Sequence, residues 1–439
     1  MGEVLIRGGR VIDATGERRA DVLIRDGAVA AVEPGIDVGG AQVLDASGCV
    51  VAPGLVDLHA HLRQPGREEA ETVETGSRAA ALGGYTAVVA MPNTEPAIDS
   101  AGVVREVLEL SAGALCDVRP AGAITIGRRG EQLAPLGEMA ALGVRLFTDD
   151  GRGVQDARLM RRALEYASAL GVTVAQHCED ERLAAGGHMH EGEWSSRLGI
   201  PGTPAEAEEV MVGRDLALLR LTREQSGRTT PAGVGSRIHF QHLSTARAVG
   251  AVRAAKAEGL PVTAEATPHH LSLTDAAVAS YDTVFKVNPP LRPAVDVEAV
   301  RAGLADGTVD AIATDHAPHA QEDKERPFDQ APPGMVGLET ALAVALTHLD
   351  LAFSHVLALL SWQPARIAGL DVRGHGGPIV EGAAANLCVI DPAAVWIVEA
   401  DQMASRSRNT PFAGHKLTGR VRHTLLRGEP VVIDGLAQR

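Results

Sequence analysis

Lysine is almost missing from this chain of 439 residues. It occurs only as Lys256, Lys286, Lys324 and Lys416, so arginine carries nearly all the positive charge. Cysteine is scarce too: Cys49, Cys116, Cys178 and Cys388 are scattered and form no CxxC pair. That argues against a disulfide framework or a cysteine-rich zinc knuckle. No apolar run is long enough to span a bilayer. The opening, MGEVLIRGGRVIDATG, lacks the basic-then-apolar layout of a signal peptide, and a cytoplasmic location is expected. Basic charge is in deficit overall, with a formal net charge of −15. This disfavours nonspecific nucleic-acid binding, yet leaves room for an anionic small molecule held by local arginines and metal.

What is present describes a globular protein with enough chain for a large core: hydrophobic residues make up 45% and charged residues 22%. Up to about Ala52 the chain reads as short strands between Gly and Asp turns (VLIRGGRVID, ADVLIRDGAVAAVEPG, QVLDASGCVV), and the tail repeats that texture in ANLCVIDP, WIVEA and VRHTLLRGEPVVIDG. Two β-rich ends around one large middle suggest a composite domain. The middle holds eight apolar runs that end in polar residues: LVDLHAH, YTAVVAMPNT, VRPAGAIT, VRLFTDDG, VTVAQHCED, RIHFQHLST, PVTAEATPHH and VDAIATDHAPH. Helix-like stretches such as ARLMRRALEYASALG follow several of them, giving the strand count of a (β/α)8 TIM barrel. The expected fold is α/β: a composite β-sandwich from residues 1–54 and 367–439 around a barrel over 55–366. A ninth strand-like piece, TVFKVNPPLR, lies between the seventh and eighth runs, and 186–204 and 319–337 read as long loops over the carboxyl end of the barrel.

GLVDLHAHLRQPG, residues 54–66, places His59, His61 and Arg63 on one face if the strand runs on through Arg63. The other strand ends add Asp150, His177, His242 and Asp315. Four imidazoles and two carboxylates suit zinc or a similar divalent ion. Six ligands exceed one tetrahedral site and fit two ions that share a bridging carboxylate and hydroxide, a hydrolytic arrangement.

DLHAHLRQPGREEAET, AMPNTEP, FTDDG, AQHCED, EATPHHLSL, NPPLR and ATDHAPH resemble the motifs of bacterial dihydroorotases of the longer type, members of the amidohydrolase superfamily, over nearly the whole chain. HxHxR and TDHAPH also occur in allantoinases and hydantoinases, whereas LRQPG and NPPLR lean toward dihydroorotase. The carboxylated lysine that bridges two metals in many superfamily members has no counterpart here, since no lysine precedes Lys256. The resemblance puts Asp150 in that bridging role, with neighbouring Asp149 as the rival. It implies one ion on His59, His61 and Asp315, a second on His177 and His242, and zinc as the metal. It also implies Arg63, Asn93, Asn288, His319, Pro333 and Gly334 as substrate contacts. The stiff Pro332-Pro333-Gly334 run after the solvated QEDKER makes 319–337 a mobile loop expected to close over the ligand. His316, His269 and His270 are left to supporting roles, and Cys178 to packing.

The activity so implied is reversible cyclisation of N-carbamoyl-L-aspartate to L-dihydroorotate, in pyrimidine biosynthesis. A metal-bound hydroxide attacks the ring amide, and Asp315 serves as general acid and base. Arg63 fits this substrate because a guanidinium grips a carboxylate through two parallel hydrogen bonds. A hydantoinase or allantoinase is the alternative within the same chemistry, and a silent scaffold for aspartate transcarbamoylase the alternative outside it. A homo-oligomer is expected, a complex with aspartate transcarbamoylase is open, and neither nucleic acid nor membrane is an expected partner.

Overall fold

The computed structural model describes residues 2–226 and 235–439. Its centre is a ring of eight parallel strands: β1 (Leu55–Ala60), β2 (Tyr85–Ala90), β3 (Asp117–Pro120), β4 (Leu146–Phe147), β5 (Thr173–Gln176), β6 (Ile238–Phe240), β7 (Val262–Ala266) and β8 (Ala311–Ile312). Neighbours pair in chain order. Single bridges close the two gaps, Gly122 to Phe147 between β3 and β4 and Ala60 to His316 between β8 and β1. Each run of the sequence supplies one strand. TVFKVNPPLR does not: Thr283–Phe285 forms a 3₁₀ turn, and Pro289 and Pro290 bring no N–H to a ladder.

A helix follows each strand: α1 (Val73–Leu82), α2 (Ala101–Leu110), α3 (Leu136–Ala141), α4 (Ala157–Leu170), α5 (Glu206–Ser226), α6 (Ala246–Ala257), α7 (Ala294–Asp306) and α8 (Ala341–His348). In α4 the apolar residues Met160, Ala163, Leu164 and Ala167 recur at helical spacing and are buried, Asp156 caps the first turn through the Leu159 N–H, and Gly171 ends the helix in the left-handed region. The long connection 186–204 is partly ordered into Met189–His190 paired with Gly202–Thr203, around a helix at Glu193–Leu198. The 319–337 segment carries a single helical turn, Gln321–Lys324.

Both chain ends build the second layer. One sheet orders Ala28–Glu33, Asp21–Arg25, Val4–Arg7 and Gln42–Asp45. The other has seven strands, in which Val50–Pro53 lies between Arg10–Asp13 and Leu387–Ile397. Alternation along these strands sends side chains both ways. Val51, Leu387 and Val389 pack with Val4, Ile6, Val22 and Ile24 in the sandwich core. Val50, Ala52, Cys388 and Ile390 join the large cluster that also holds barrel strands and helices. The seven-stranded sheet is therefore apolar on both faces, which explains the near-continuous apolar texture of CVVAP and LCVI. All four cysteines are free and buried. Among the described residues, no helix is long and apolar enough to cross a membrane.

Candidate active site

The sequence-predicted ligands converge at the carboxyl ends of the strands. In β1 the pairing with β2 skips between Asp57 and Ala60, a bulge that re-aims side chains. His59 and His61 face the barrel interior, and Ala60 packs with the large cluster. Arg63 arrives by another route than the sequence suggests. The strand stops at Ala60, and Arg63 turns back at φ 61° to line the same cavity. Of the eight non-glycine residues with positive φ among the described residues, three belong to this site: Arg63, His242 and Asp315. Strained backbone of this kind persists where surrounding structure enforces it.

Asp150 stands at the centre. Its Oδ1 lies 3.3 Å from His59 Nε2, 3.5 Å from His177 Nδ1 and 3.6 Å from His242 Nε2, and its Oδ2 lies 3.5 Å from His61 Nε2. Asp315 Oδ1 is 3.0 Å from His61 Nε2 and 3.4 Å from His59 Nε2. Asp149 is turned away and accepts the Ile124 and Thr125 N–H groups at 2.8 and 3.0 Å. Two compact sets of ligand atoms result, His59–Asp150–His242 and His59–His61–Asp315, each within 4.8 Å throughout. His59 is common to both sets.

Buried polar atoms ordinarily find a partner, yet His59 Nε2, Asp150 Oδ1 and His242 Nδ1 have no hydrogen bond. The acidic pair also draws positive charge into the cluster. Burial opposes a proton on His59, but Asp150 and Asp315 outweigh it and raise its pKa. For Asp315 burial again opposes charge, and His59 and His61 hold the carboxyl below its usual range. Orphaned ligand atoms, mixed imidazole and carboxylate donors, and a deficit of positive charge all fit divalent metal.

The sequence reading missed the groups that aim the ligands. His59 Nδ1 meets Glu265 Oε1 at 2.8 Å, and Glu265 Oε2 meets His239 Nε2 at 3.0 Å. Burial would raise the Glu265 pKa, but hydrogen bonds from His239 and His59 bring it down to about 2. A ring nitrogen held this way fixes which nitrogen is offered to a metal. The signal was present in VTAEA and IHFQH, where polar residues alternate with apolar ones inside strands. Asn93, expected on the substrate, accepts a hydrogen bond at Oδ1 from His61 Nδ1 at 2.9 Å; an amide oxygen only accepts, so His61 Nδ1 carries the proton. His316 faces away, toward Glu71 at 3.2 Å, and His270 bonds Thr267 and the Pro289 carbonyl.

A cavity of ≈ 180 Å³ opens over the cluster, lined by His61, Arg63, Asn93, Asp150, Gly151, His177, His242, Asn288, Asp315, Ala317, His319, Pro332, Pro333 and Gly334. Arg63 is 7% exposed. Its Nε donates to the Pro318 carbonyl at 3.0 Å, and its Nη2 lies 3.4 Å from His319 Nε2. Burial, with Arg67 nearby, lowers its pKa to about 10, so it stays charged at neutral pH. Among the described residues no carboxylate lies within 4.0 Å of that guanidinium. His319 is kept neutral, its pKa pushed down to about 2 by burial and by Arg63. Asn288 Nδ2 donates to Glu179 Oε1 at 3.2 Å beside His177.

The dihydro-orotase-like family profile matches residues 48–223. The chain is 50% identical over 442 residues to the dihydroorotase of Streptomyces coelicolor, covering 99% of each chain. It is 48% identical to that of Pelotomaculum thermopropionicum, covering 98% of this chain and 99% of the relative. Among solved structures, the L-hydantoinase (dihydropyrimidinase) from Arthrobacter aurescens matches with a TM-score of 0.86 at 25% identity, over 100% of this chain and 98% of that one. The dihydropyrimidinase from Brevibacillus agri shares the fold, with a TM-score of 0.84 at 23% identity over 99% and 96%. Half-identity along essentially the full length places the chain in the dihydroorotase family, within the barrel-plus-sandwich fold of the cyclic amidohydrolases.

Proposed function

We propose that this protein is a zinc-dependent dihydroorotase that interconverts N-carbamoyl-L-aspartate and L-dihydroorotate in pyrimidine biosynthesis. The observation that carries the reading is Arg63: a buried guanidinium without a carboxylate partner among the described residues, lining one cavity with five of the six candidate ligands. A buried charge of that kind is costly until an anion meets it, and dihydroorotate brings a carboxylate where neutral hydantoins bring none. Asn288 and the free amide nitrogen of Asn93 line the cavity as donors, and neutral His319 adds no competing charge.

His59, His61 and Asp315 would hold one ion and His177 and His242 the other, with Asp150 a ligand available to both. When bound, the ions supply Lewis acidity toward the amide carbonyl and make water more acidic. Arg63 receives the substrate carboxylate and sets the ring so that its amide faces Asp315. Asp315 Oδ1 is engaged by histidines, which leaves Oδ2 to take a proton from water and deliver it to the leaving nitrogen. In the cyclising direction Asp315 removes the proton from that nitrogen and returns it to departing water. The limits 1–54, 55–366 and 367–439, a cytoplasmic setting and a homo-oligomer, with or without aspartate transcarbamoylase, belong to the same reading.

The test is an assay of purified protein against dihydroorotate, carbamoyl aspartate, allantoin and hydantoin, with elemental analysis of the same preparation. Turnover of the first pair, one to two zinc ions per chain and loss of activity on chelation are expected. Preference for a neutral ring, or full activity in metal-free protein, would overturn the proposal.

A further inference from the structure

One wall of the cavity is the strap Pro332–Pro333–Gly334. Backbone carbonyls facing an anionic ligand would repel it, so where these three point matters. Each is occupied. Pro332 O accepts from Lys324 Nζ at 3.0 Å, and Pro333 O from His319 Nε2 at 2.8 Å. Gly334 O accepts from Lys324 Nζ and from Asn409 Nδ2, both at 3.1 Å. The Gly334 N–H in turn donates to the Lys286 carbonyl at 2.8 Å.

Lys324 is thus a single ammonium that grips two carbonyls of one strap. It has no carboxylate within ion-pair distance among the described residues. Burial, with Lys286 nearby and Asp282 opposing, lowers its pKa to about 7. Its charge is spent on backbone rather than on an acidic side chain. The strap has little slack: a Cβ at Gly334, where φ is 141°, would come within 2.8 Å of both Ala317 Cβ and His319 Nε2. Nothing in the sequence pattern singled this residue out, beyond its being one of four lysines in an arginine-rich chain.

We propose that Lys324 is a positioning residue for the ligand cavity: by holding the Pro332 and Gly334 carbonyls it keeps the strap against the ligand and turns their lone pairs away from the anion that Arg63 receives. The ligand part of this rests on the dihydroorotase reading, and the strap part does not. Arginine in its place would keep the charge, but its planar fork fits two carbonyls on one strap less well than a compact ammonium.

The experiment compares the full-length, zinc-loaded parent with Lys324→Met and Lys324→Arg. In Lys324→Met the KM for dihydroorotate should rise about tenfold, the scale of one or two lost hydrogen bonds, with kcat within about threefold and zinc content unchanged. Lys324→Arg should recover part of the loss. Because 332 and 333 are prolines, the Gly334 amide is the strap's own reporter. Its hydrogen exchange without ligand should quicken about tenfold in Lys324→Met while amides of α4 hold their protection. Unchanged KM and unchanged Gly334 exchange would overturn the proposal, as would a fall in kcat alone or faster exchange throughout the barrel. If the parent does not turn over dihydroorotate, the functional reading fails, and Gly334 exchange still decides whether Lys324 holds the strap.

Discussion

In the proposed function, Arg63 ties the chemistry to a substrate class. Held at φ 61° and buried, it gives its Nε to a carbonyl and keeps the rest of its fork for a ligand. Arg63→Ala should cost roughly 3–5 kcal/mol of transition-state stabilisation toward dihydroorotate, with Arg63→Lys recovering only part. Turnover of uncharged dihydrouracil should hardly change. The check is kcat/KM for both rings in parent and variant; an equal fall for both would make Arg63 a structural residue. The paired histidines and the aspartate pair were legible as residues because strand ends collect them. Which aspartate faces them was not legible from spacing: both sit at the end of β4, and only the turn that gives Asp149 the Ile124 and Thr125 N–H groups separates them. Glu265 and His239 escaped notice because a polar side chain inside a strand reads as a surface position until a barrel closes around it.

At the level of elements, the seam between β8 and β1 positions both candidate metal-ligand sets. Asp57 Oδ1 accepts the Thr314 N–H at 2.9 Å, and Oδ2 accepts the Thr314 hydroxyl at 2.5 Å. Asp57 stands two residues before His59, and Thr314 directly precedes Asp315. Asp57→Ala takes the acceptor from three buried donors, the Thr314 N–H and hydroxyl and the His59 N–H, and each donor left unpaired costs about 1–3 kcal/mol. The expected result is a lower urea midpoint with an unchanged m-value, together with weaker zinc retention in dialysis. A variant as stable and as metal-rich as the parent would show that the seam does not set the ligands. The eight strands were legible because each carries its own apolar run and polar end. The spurious ninth was legible only as composition, since TVFKV has the residues of a strand but meets two prolines and no partner edge. The long connections over the barrel mouth carry no period, and their short helices come from contacts such as Thr283 with the Lys324 carbonyl rather than from local preference.

For the molecule as a whole, pH dependence of stability has an identifiable contributor away from the metal ligands. Glu339 precedes α8 and accepts the Ala404 and Ser405 N–H groups at 2.9 and 3.2 Å. Burial, aided by Glu71 and opposed by those N–H groups, raises its pKa from 4.5 to about 7. The folded state then binds this proton more tightly than the unfolded one, so the contribution is complete below about pH 4.5 and is lost as pH rises to about 7. Glu339→Gln keeps an acceptor without the charge. Relative to the parent it should gain stability between pH 5 and 7.5, by at most roughly 3 kcal/mol. Urea unfolding at the two pH values, both with excess zinc, measures this; a pH-independent difference would remove Glu339 from the account. The seven-stranded sheet has a different kind of consequence, one of time. Ribosomal synthesis runs from the amino end, so Val50–Pro53 emerges with Arg10–Asp13 beside it, but its other neighbour, Leu387–Ile397, is more than 330 residues away. Every barrel strand leaves the ribosome before the sheet that covers their flank has its last four strands. The nascent chain must therefore carry an uncovered apolar face, Val50 and Ala52 among it, through most of its own translation.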